Sequence, residues 1–335
     1  MSLPYDNATA DRLKGTVQVK SGNTWRYADR VWVKKNNAWG SVEEIHVKKS
    51  GTWQQVGEYN VYHFKFTLNQ NNNGNSNTTY NYHILNWNQG SNDDYTGTGN
   101  LSGNTTQRRF DPAAELADVA SWNGTTPAIG AIYVASTQRR MNIPSMPAGS
   151  RIILYVNGGK RILGKGGNGG NGSNNHSAGG NGQNGQTALY CRTNTTIVNN
   201  GQIASGGGGG GGGRGGQCVY QNTGQKACMK GSQCPVTYQN FSQEQGGGGG
   251  GGAGYPGGQG GNGDANGQNG QSNARGNGGQ NQSCNAQRGR HGGNLGQNAQ
   301  GGGTAGSPGS RGNAVDGVSY ITYETKGTVN GPEVN

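Results

Sequence analysis

Glycine in the second half of the chain restricts its folding more than any other feature. It occurs as unbroken runs, Gly206–Gly213 and Gly246–Gly252, and in stretches spaced by threes, Gly166-Gly167-Asn168-Gly169-Gly170-Asn171-Gly172 and Gly257-Gly258-Gln259-Gly260-Gly261-Asn262-Gly263. Three residues per turn is the period of the polyproline II conformation, which forms no hydrogen bonds within its own helix. Such a helix offers its N–H and C=O groups to neighbours, and glycine at the contacts lets the backbones approach. The pattern predicts a bundle of these helices, a polyglycine II sandwich, over residues 159–313.

Composition alone also fits a flexible linker, since polar glycine-rich sequence without a period is usually disordered, and ordering glycine costs more backbone entropy than ordering any other residue. Three features favour order. The triplet phase persists over several segments; apolar stretches such as Ile197-Val198 and Ile203-Ala204 separate them; and the chain closes on a strand-like segment, Val318–Tyr323. Collagen does not fit, because strict Gly-X-Y is absent and 9 prolines in 335 residues are too few.

Hydrophobic content is 29%, so a conventional core can occupy only part of the chain, and the apolar residues concentrate before residue 165. The net charge of +11 favours polyanions as partners: nucleic acid, phosphorylated lipopolysaccharide or acidic protein loops. No secretory h-region opens the chain and no apolar run approaches a membrane span. Synthesis in a cytoplasm without a secretion address is the expectation, which suits a virion component released by lysis.

The N-terminal region, 1–57, repeats itself. Val17-Gln18-Val19-Lys20 precedes Trp25, Val31-Trp32-Val33-Lys34 precedes Trp39, and Ile45-His46-Val47-Lys48 precedes Trp53, with the tryptophans 14 residues apart. Each unit reads as strand, Asn/Gly/Ser turn and Trp-bearing strand, a β-hairpin. One hairpin alone is marginal; three can bury Trp25, Trp39 and Trp53 around a threefold axis, suited to attachment to a threefold-symmetric partner, or can form a plain mini-domain. Residues 58–158 read as a mostly-β domain. Tyr62, Phe64, Phe66 and Leu68 alternate with polar residues; further strands are expected at Tyr80–Leu85, Ala131–Ala135 and Arg151–Val156. One short helix is expected, with Asp111 as N-cap, Pro112 in its first turn, and Leu116 and Val119 facing inward. Residues 314–335 would supply a closing strand. The fold class is therefore mainly β, ending in the polyglycine II sandwich.

Asn199-Asn200-Gly201-Gln202-Ile203-Ala204-Ser205 running into the first glycine block, the second block with Ala253-Gly254, the entry Gly164-Lys165-Gly166-Gly167-Asn168-Gly169-Gly170, and the close from Gly317 to Gly331 together carry a resemblance. From about Ile152 onward the chain resembles the glycine-rich receptor-binding adhesins that cap the long tail fibres of T-even-type bacteriophages. The N-terminal repeats do not match the attachment domain of those adhesins. The resemblance implies a virion protein, made in the host cytoplasm, with a rigid glycine lattice whose loops contact an outer-membrane protein or lipopolysaccharide. The N-terminal repeats would then hold a trimeric tail-fibre or tail-tip protein.

By the same resemblance the non-glycine inserts are the binding loops. The longest, Gln217–Gln245, carries Tyr220, Lys226, Met229, Lys230, Tyr238 and Phe241, aromatic and basic residues of the kind interfaces use. A disulfide-stiffened loop without a partner is the plainer reading. Arg275 with Arg288-Gly289-Arg290-His291 adds positive charge, which could also be ordinary solvated charge. Five cysteines, Cys191, Cys218, Cys228, Cys234 and Cys284, allow a bridge such as Cys218–Cys234, with pairing open and one thiol left over. No Cys-x-x-Cys pair or ligand-spaced histidine predicts a metal site, no cofactor motif occurs, and no catalytic constellation emerges. A binding protein rather than an enzyme is expected, with no nucleic acid as its partner. The competing classes are an RNA-binding protein, on the single Arg214-Gly215-Gly216, and an ice-binding polyglycine II protein.

Overall fold

The computed structural model describes residues 18–21, 24–27, 32–35, 38–41, 44–49, 52–58, 62–71, 79–88, 91–100, 109–174, 177–227, 233–280, 285–300 and 305–335. The fold is mainly β, with one α-helix and several sheets. Two compact units divide the chain. The first contains the chain up to Arg161, Tyr190–Gln202 and Gly317–Thr328; the second contains Ile162–Leu189, Ile203–Asp316 and Val329–Asn335.

In the N-terminal region Gln18–Ser21 pairs with Thr24–Tyr27, Trp32–Lys35 with Ala38–Ser41, and Glu44–Lys49 with Thr52–Glu58, all antiparallel. Each tryptophan lies opposite the lysine of its own hairpin: Trp25 opposite Lys20, Trp39 opposite Lys34 and Trp53 opposite Lys48. The turn residues between the strands fall outside the described residues.

The first unit is organised by a seven-stranded sheet in the order Ile321–Thr325, Thr195–Asn199, Arg151–Val156, Ala128–Val134, Tyr62–Leu68, Thr79–Asn88, Ser91–Asn100. The first five are parallel and the last two continue antiparallel. Two of the parallel strands come from far along the chain, because residues 203–316, which belong to the second unit, intervene between Thr195–Asn199 and Ile321–Thr325. The expected closing strand is shifted: Val318–Tyr320 forms a 3-10 turn, entered through Gly317 at φ 111°, and the strand begins at Ile321.

Alternation in Tyr62–Leu68 does bury Tyr62, Phe64, Phe66 and Leu68, but the opposite face is not solvated. His63 is buried too, and Lys65 and Thr67 are half-buried, as suits a strand in the middle of a sheet. Burial, reinforced by the nearby Arg151 charge, lowers the His63 pKa to about 4. Phe66, Tyr80 and Phe110 meet edge-to-face with centroids 5.2–5.6 Å apart, a geometry that favours the ring quadrupoles.

The helix Pro112–Ala120 starts where local chemistry dictates. Asp111 Oδ1 accepts from the N–H groups of Ala113 and Ala114 at 3.1 and 3.2 Å, and Ser121 ends the helix in the left-handed region at φ 50°. Leu116 and Ala120 are buried, while Val119 is half-buried. Glu115 is buried as well, and its carboxylate accepts from the Tyr80 hydroxyl. Burial pushes the Glu115 pKa up to about 7; the Tyr80 hydrogen bond opposes the shift, and Asp118 and Asp111 add to it.

The second unit is held together by its own backbone. Residues 206, 209 and 212 donate to the carbonyls of 186, 183 and 180, and accept from the N–H groups of 312, 309 and 306. Residues 207, 210 and 213 donate to 253, 250 and 247 and accept from 167, 170 and 173. Gly208 donates to Gln297, and the carbonyls of 208 and 211 accept from 293 and 290. Each of the three phases along Gly206–Gly213 thus serves two neighbouring segments, one through N–H and one through C=O. Gly246–Gly252 is served in the same way by segments around 167–173, 207–213, 258–264, 265–268, 276–279 and 287–290.

A side chain has no place at these centres. A Cβ on any residue of Gly206–Gly213 would meet a backbone carbonyl oxygen at 1.9–2.1 Å, and on any of Gly246–Gly252 at 1.9–2.2 Å. Segments around these runs need glycine only where they face inward. Their outward positions hold asparagine, whose Oδ1 accepts backbone N–H groups of the adjacent segment: Asn168 from Gln259, Asn171 from Asn262, Asn181 from Ser307, Asn184 from Ser310 and Asn269 from Gly260, at 2.8–2.9 Å. Donors at the perimeter, where no further backbone is available, are satisfied in this way.

Two outcomes follow for stability. Gly210→Ala places its methyl 2.0 Å from the Arg290 carbonyl oxygen and is expected to cost roughly 2–4 kcal/mol in urea unfolding, whereas Asn168→Ala, which loses one partly exposed hydrogen bond, costs about 1 kcal/mol. Equal midpoints for the two variants would contradict the lattice. For Glu115, the folded-state pKa is raised, so the native state binds more protons than the unfolded state between pH 4.5 and about 7. Stability relative to Glu115→Gln therefore falls by roughly 2–3 kcal/mol as pH rises through that window, and then levels off. The comparison with the variant is required because buried His63 tilts the absolute curve the other way between about pH 4 and 6.5. A wild-type-minus-variant difference that does not change with pH would refute the assignment.

Candidate functional site

The two central glycine runs are joined by one connection, Arg214–Gln245, and most of it is a β-ladder rather than an irregular loop. Gly216–Ala227 pairs antiparallel with Gln233–Glu244, from Gly216 opposite Glu244 to Ala227 opposite Gln233. Each strand has 12 residues, which at about 3.3 Å per residue gives a ladder roughly 40 Å long. Its foot is fixed where Gly213 donates to Gly247 at 2.8 Å, Gly246 donates to Ser173 at 2.9 Å, and the Gln245 side chain donates to the Gly172 carbonyl at 3.1 Å.

The register places the expected contact residues along this ladder. Tyr220 is opposite Asn240, Tyr238 opposite Asn222, Phe241 opposite Val219 and Lys226 opposite Cys234. Met229, Lys230 and Cys228 lie outside the described residues. Cys218 is opposite Ser242, so Cys218 and Cys234 are separated by the eight residues from 218 to 226 along the ladder. That is roughly 26 Å, far beyond the Cα separation a disulfide spans, and a Cys218–Cys234 bridge is incompatible with this register. Cys191 is a buried free thiol, its pKa raised by burial and partly offset by hydrogen bonds to Thr195 and Thr193.

Other connections share the ladder's end of the unit. Asp264 donates its N–H to Gly246, and Gln287 donates to Arg214. Ser173, Asp264 and Gln287 therefore lie at the end where Gly213 and Gly246 meet. Their position follows from the antiparallel sense of the two central runs, in which 207, 210 and 213 face 253, 250 and 247.

Arg275, Arg288, Arg290 and His291 form a separate cluster on segments 274–279 and 287–294. Gly289 and Gly292 donate to Gly279 and Gly276, and the Gly278 N–H donates to His291 Nδ1 at 3.2 Å. Partial burial lowers the His291 pKa, and the charges of Arg275, Arg288 and Arg290 lower it further. Arg275 sits at the end of its segment away from the ladder: its N–H donates to Asn294 Oδ1, and the next residue, Gly276, donates to Gly251. The sequence offered these cations as a second cluster beside the insert, and they lie on segments 274–279 and 287–294, joined through Gly292 and Gly276. The structure also brings together the asparagine rows, whose signal, asparagine at every third position, was present in the sequence and not read.

Among the described residues no group of three or more His, Cys, Asp or Glu side chains is arranged to hold a metal ion, and no helix is long and apolar enough to cross a membrane. No curated protein and no solved structure matches the chain. The family model described as phage tail fibre adhesin Gp38 matches residues 101–334. That span takes in four strands of the seven-stranded sheet, the helix, all of the glycine segments and the 12-residue ladder. The chain belongs to the phage tail fibre adhesin Gp38 family.

Proposed function

We propose that this tail-fibre adhesin recognises its host through the Gln217–Gln245 hairpin, carried on a polyglycine II sandwich, and that it acts without catalysing a reaction. The observation that carries the reading is the anchorage of the hairpin. Both of its feet continue into the two glycine runs with the most extensive backbone bonding, and the three-residue stepping of those bonds supports the polyglycine II assignment. Stiff support lowers the ordering cost of binding. Tyr220, Tyr238 and Phe241 provide contact area at low side-chain entropy, and Lys226 provides positive charge, on a ladder whose neighbours are Asn, Gln and Thr. The receptor class is an outer-membrane protein or lipopolysaccharide of the host envelope.

The N-terminal hairpins are the proposed attachment to a trimeric tail-fibre or tail-tip protein. Their shared Lys–Trp register supports three equivalent contacts for three equivalent subunits. An RNA-binding role is less well supported. The single Arg214-Gly215-Gly216 is tied into the glycine lattice, with the Arg214 carbonyl accepting from Gln287, whereas RNA-binding segments of this type are flexible.

Exchanging residues 217–245 for the same segment of an adhesin with another host range should redirect adsorption of the purified protein to that host's cells while leaving the unfolding midpoint within a few degrees. Unchanged host preference in a folded exchange protein refutes the hairpin assignment. Replacing Trp25, Trp39 and Trp53 together by alanine should abolish incorporation into particles, measured by immunoblot of purified virions, while the free protein still binds cells. Normal incorporation would refute the attachment role.

A further inference from the structure

The flank formed by segments 274–279 and 287–294 gathers more positive charge than the lattice requires. Arg288 is exposed, Arg275, Arg290 and His291 are half-buried, and the charged groups acting on His291 are all cations. Packing like charges together is unfavourable, and Arg290 enters the lattice through its backbone, which donates to Gly211 and accepts from Gly250 at 2.8 Å each.

Among the described residues, two buried atoms in the same segment have no partner: Arg290 Nε and Gln287 Oε1 are shielded from solvent and make no hydrogen bond. A buried guanidinium N–H left unpaired costs more than a neutral donor would, and an anion at this place would satisfy it. The His291 ring is already oriented. Nδ1 accepts from Gly278, so the neutral ring carries its proton on Nε2, a further donor of the cluster. Guanidinium forks are matched to phosphate oxygens, and an imidazole N–H completes a donor set suited to a phosphomonoester.

We infer that Arg275, Arg288, Arg290 and His291 form a phosphate-binding site on the flank of the glycine unit, separate from the hairpin, and that its ligand is a phosphate group on an envelope saccharide. The phosphate chemistry stands on the cluster itself; the saccharide as carrier rests on the proposed reading of the chain as a cell-surface adhesin. Such a site would hold the particle loosely on phosphorylated glycan while the hairpin engages its receptor, and its affinity should fall with salt.

The test uses the full chain labelled with 13C at histidine Cε1, with the His291 signal assigned from His291→Gln. Titration with inorganic phosphate at pH 7 should shift that signal saturably in the millimolar range. The shift should weaken at least tenfold in Arg275→Gln/Arg288→Gln, a pair of which neither residue is fully buried, and in Arg290→Gln. No shift, or an unaltered shift in a folded double variant, overturns the site. Phosphorylated core oligosaccharide should bind at least tenfold more tightly than inorganic phosphate, and the same oligosaccharide after enzymatic dephosphorylation should not bind. Equal affinity for free phosphate and the phosphorylated oligosaccharide, or retained binding of the dephosphorylated one, overturns the saccharide assignment. Phosphate binding that survives the 217–245 exchange while host preference changes supports both proposals. Loss of the phosphate response with host preference still following the hairpin counts against this site alone, and an intact phosphate response with no adsorption to cells counts against the adhesin reading alone.

Discussion

Backbone-to-backbone hydrogen bonding without room for a Cβ is the constraint on which the second unit depends. A conventional domain hides apolar side chains and lets backbone pairing follow. Here the order is reversed: in Gly206–Gly213 and Gly246–Gly252 every residue turns its amide or its carbonyl toward a neighbour, and the closest approach is to a carbonyl oxygen. The entropic cost of ordering glycine is met by many modest bonds made together, which explains how a chain with 29% hydrophobic residues can hold a compact unit of this size. Asparagine completes the arrangement at the perimeter by standing in for the missing backbone acceptor.

The first unit solves a different problem. Its parallel strands Arg151–Val156, Thr195–Asn199 and Ile321–Thr325 are separated by long stretches of chain, and those stretches are the glycine segments. Parallel strands require crossovers in any case; in this protein the crossovers are enlarged into a unit of their own. The 216–244 hairpin is in turn a connection within that unit, between its two central runs.

Local chemistry was legible in the sequence. Asp111 and Pro112 marked the helix start, and Arg151–Val156 appeared as a strand. The triplet glycines announced backbone packing. Less legible was whatever depends on partners distant in sequence. Residues 216–227 and 233–244 lack an uninterrupted apolar face, so their polar Gln, Asn and Thr positions read as a loop although they form a ladder. The shared neighbourhood of Arg275 and His291 arises from the bond between Gly292 and Gly276, a lattice adjacency that no local pattern encodes. The separation of Cys218 from Cys234 likewise follows from register alone.

The three-phase bonding of the central runs also bears on how such a protein can change. Deleting one residue early in Gly206–Gly213 would rotate every later amide toward the wrong neighbour, so that 210 would face the partners of 209 and the mismatch would run on to Gly213. Removing three would shorten the run by one turn and turn every later amide back toward the same segment. Length variation inside the glycine segments is therefore quantised in threes, like a reading frame, while the connections at their ends carry no such rule. The periodic interior therefore accepts change only in whole turns, and variation of any other length is confined to the connections that join one segment to the next.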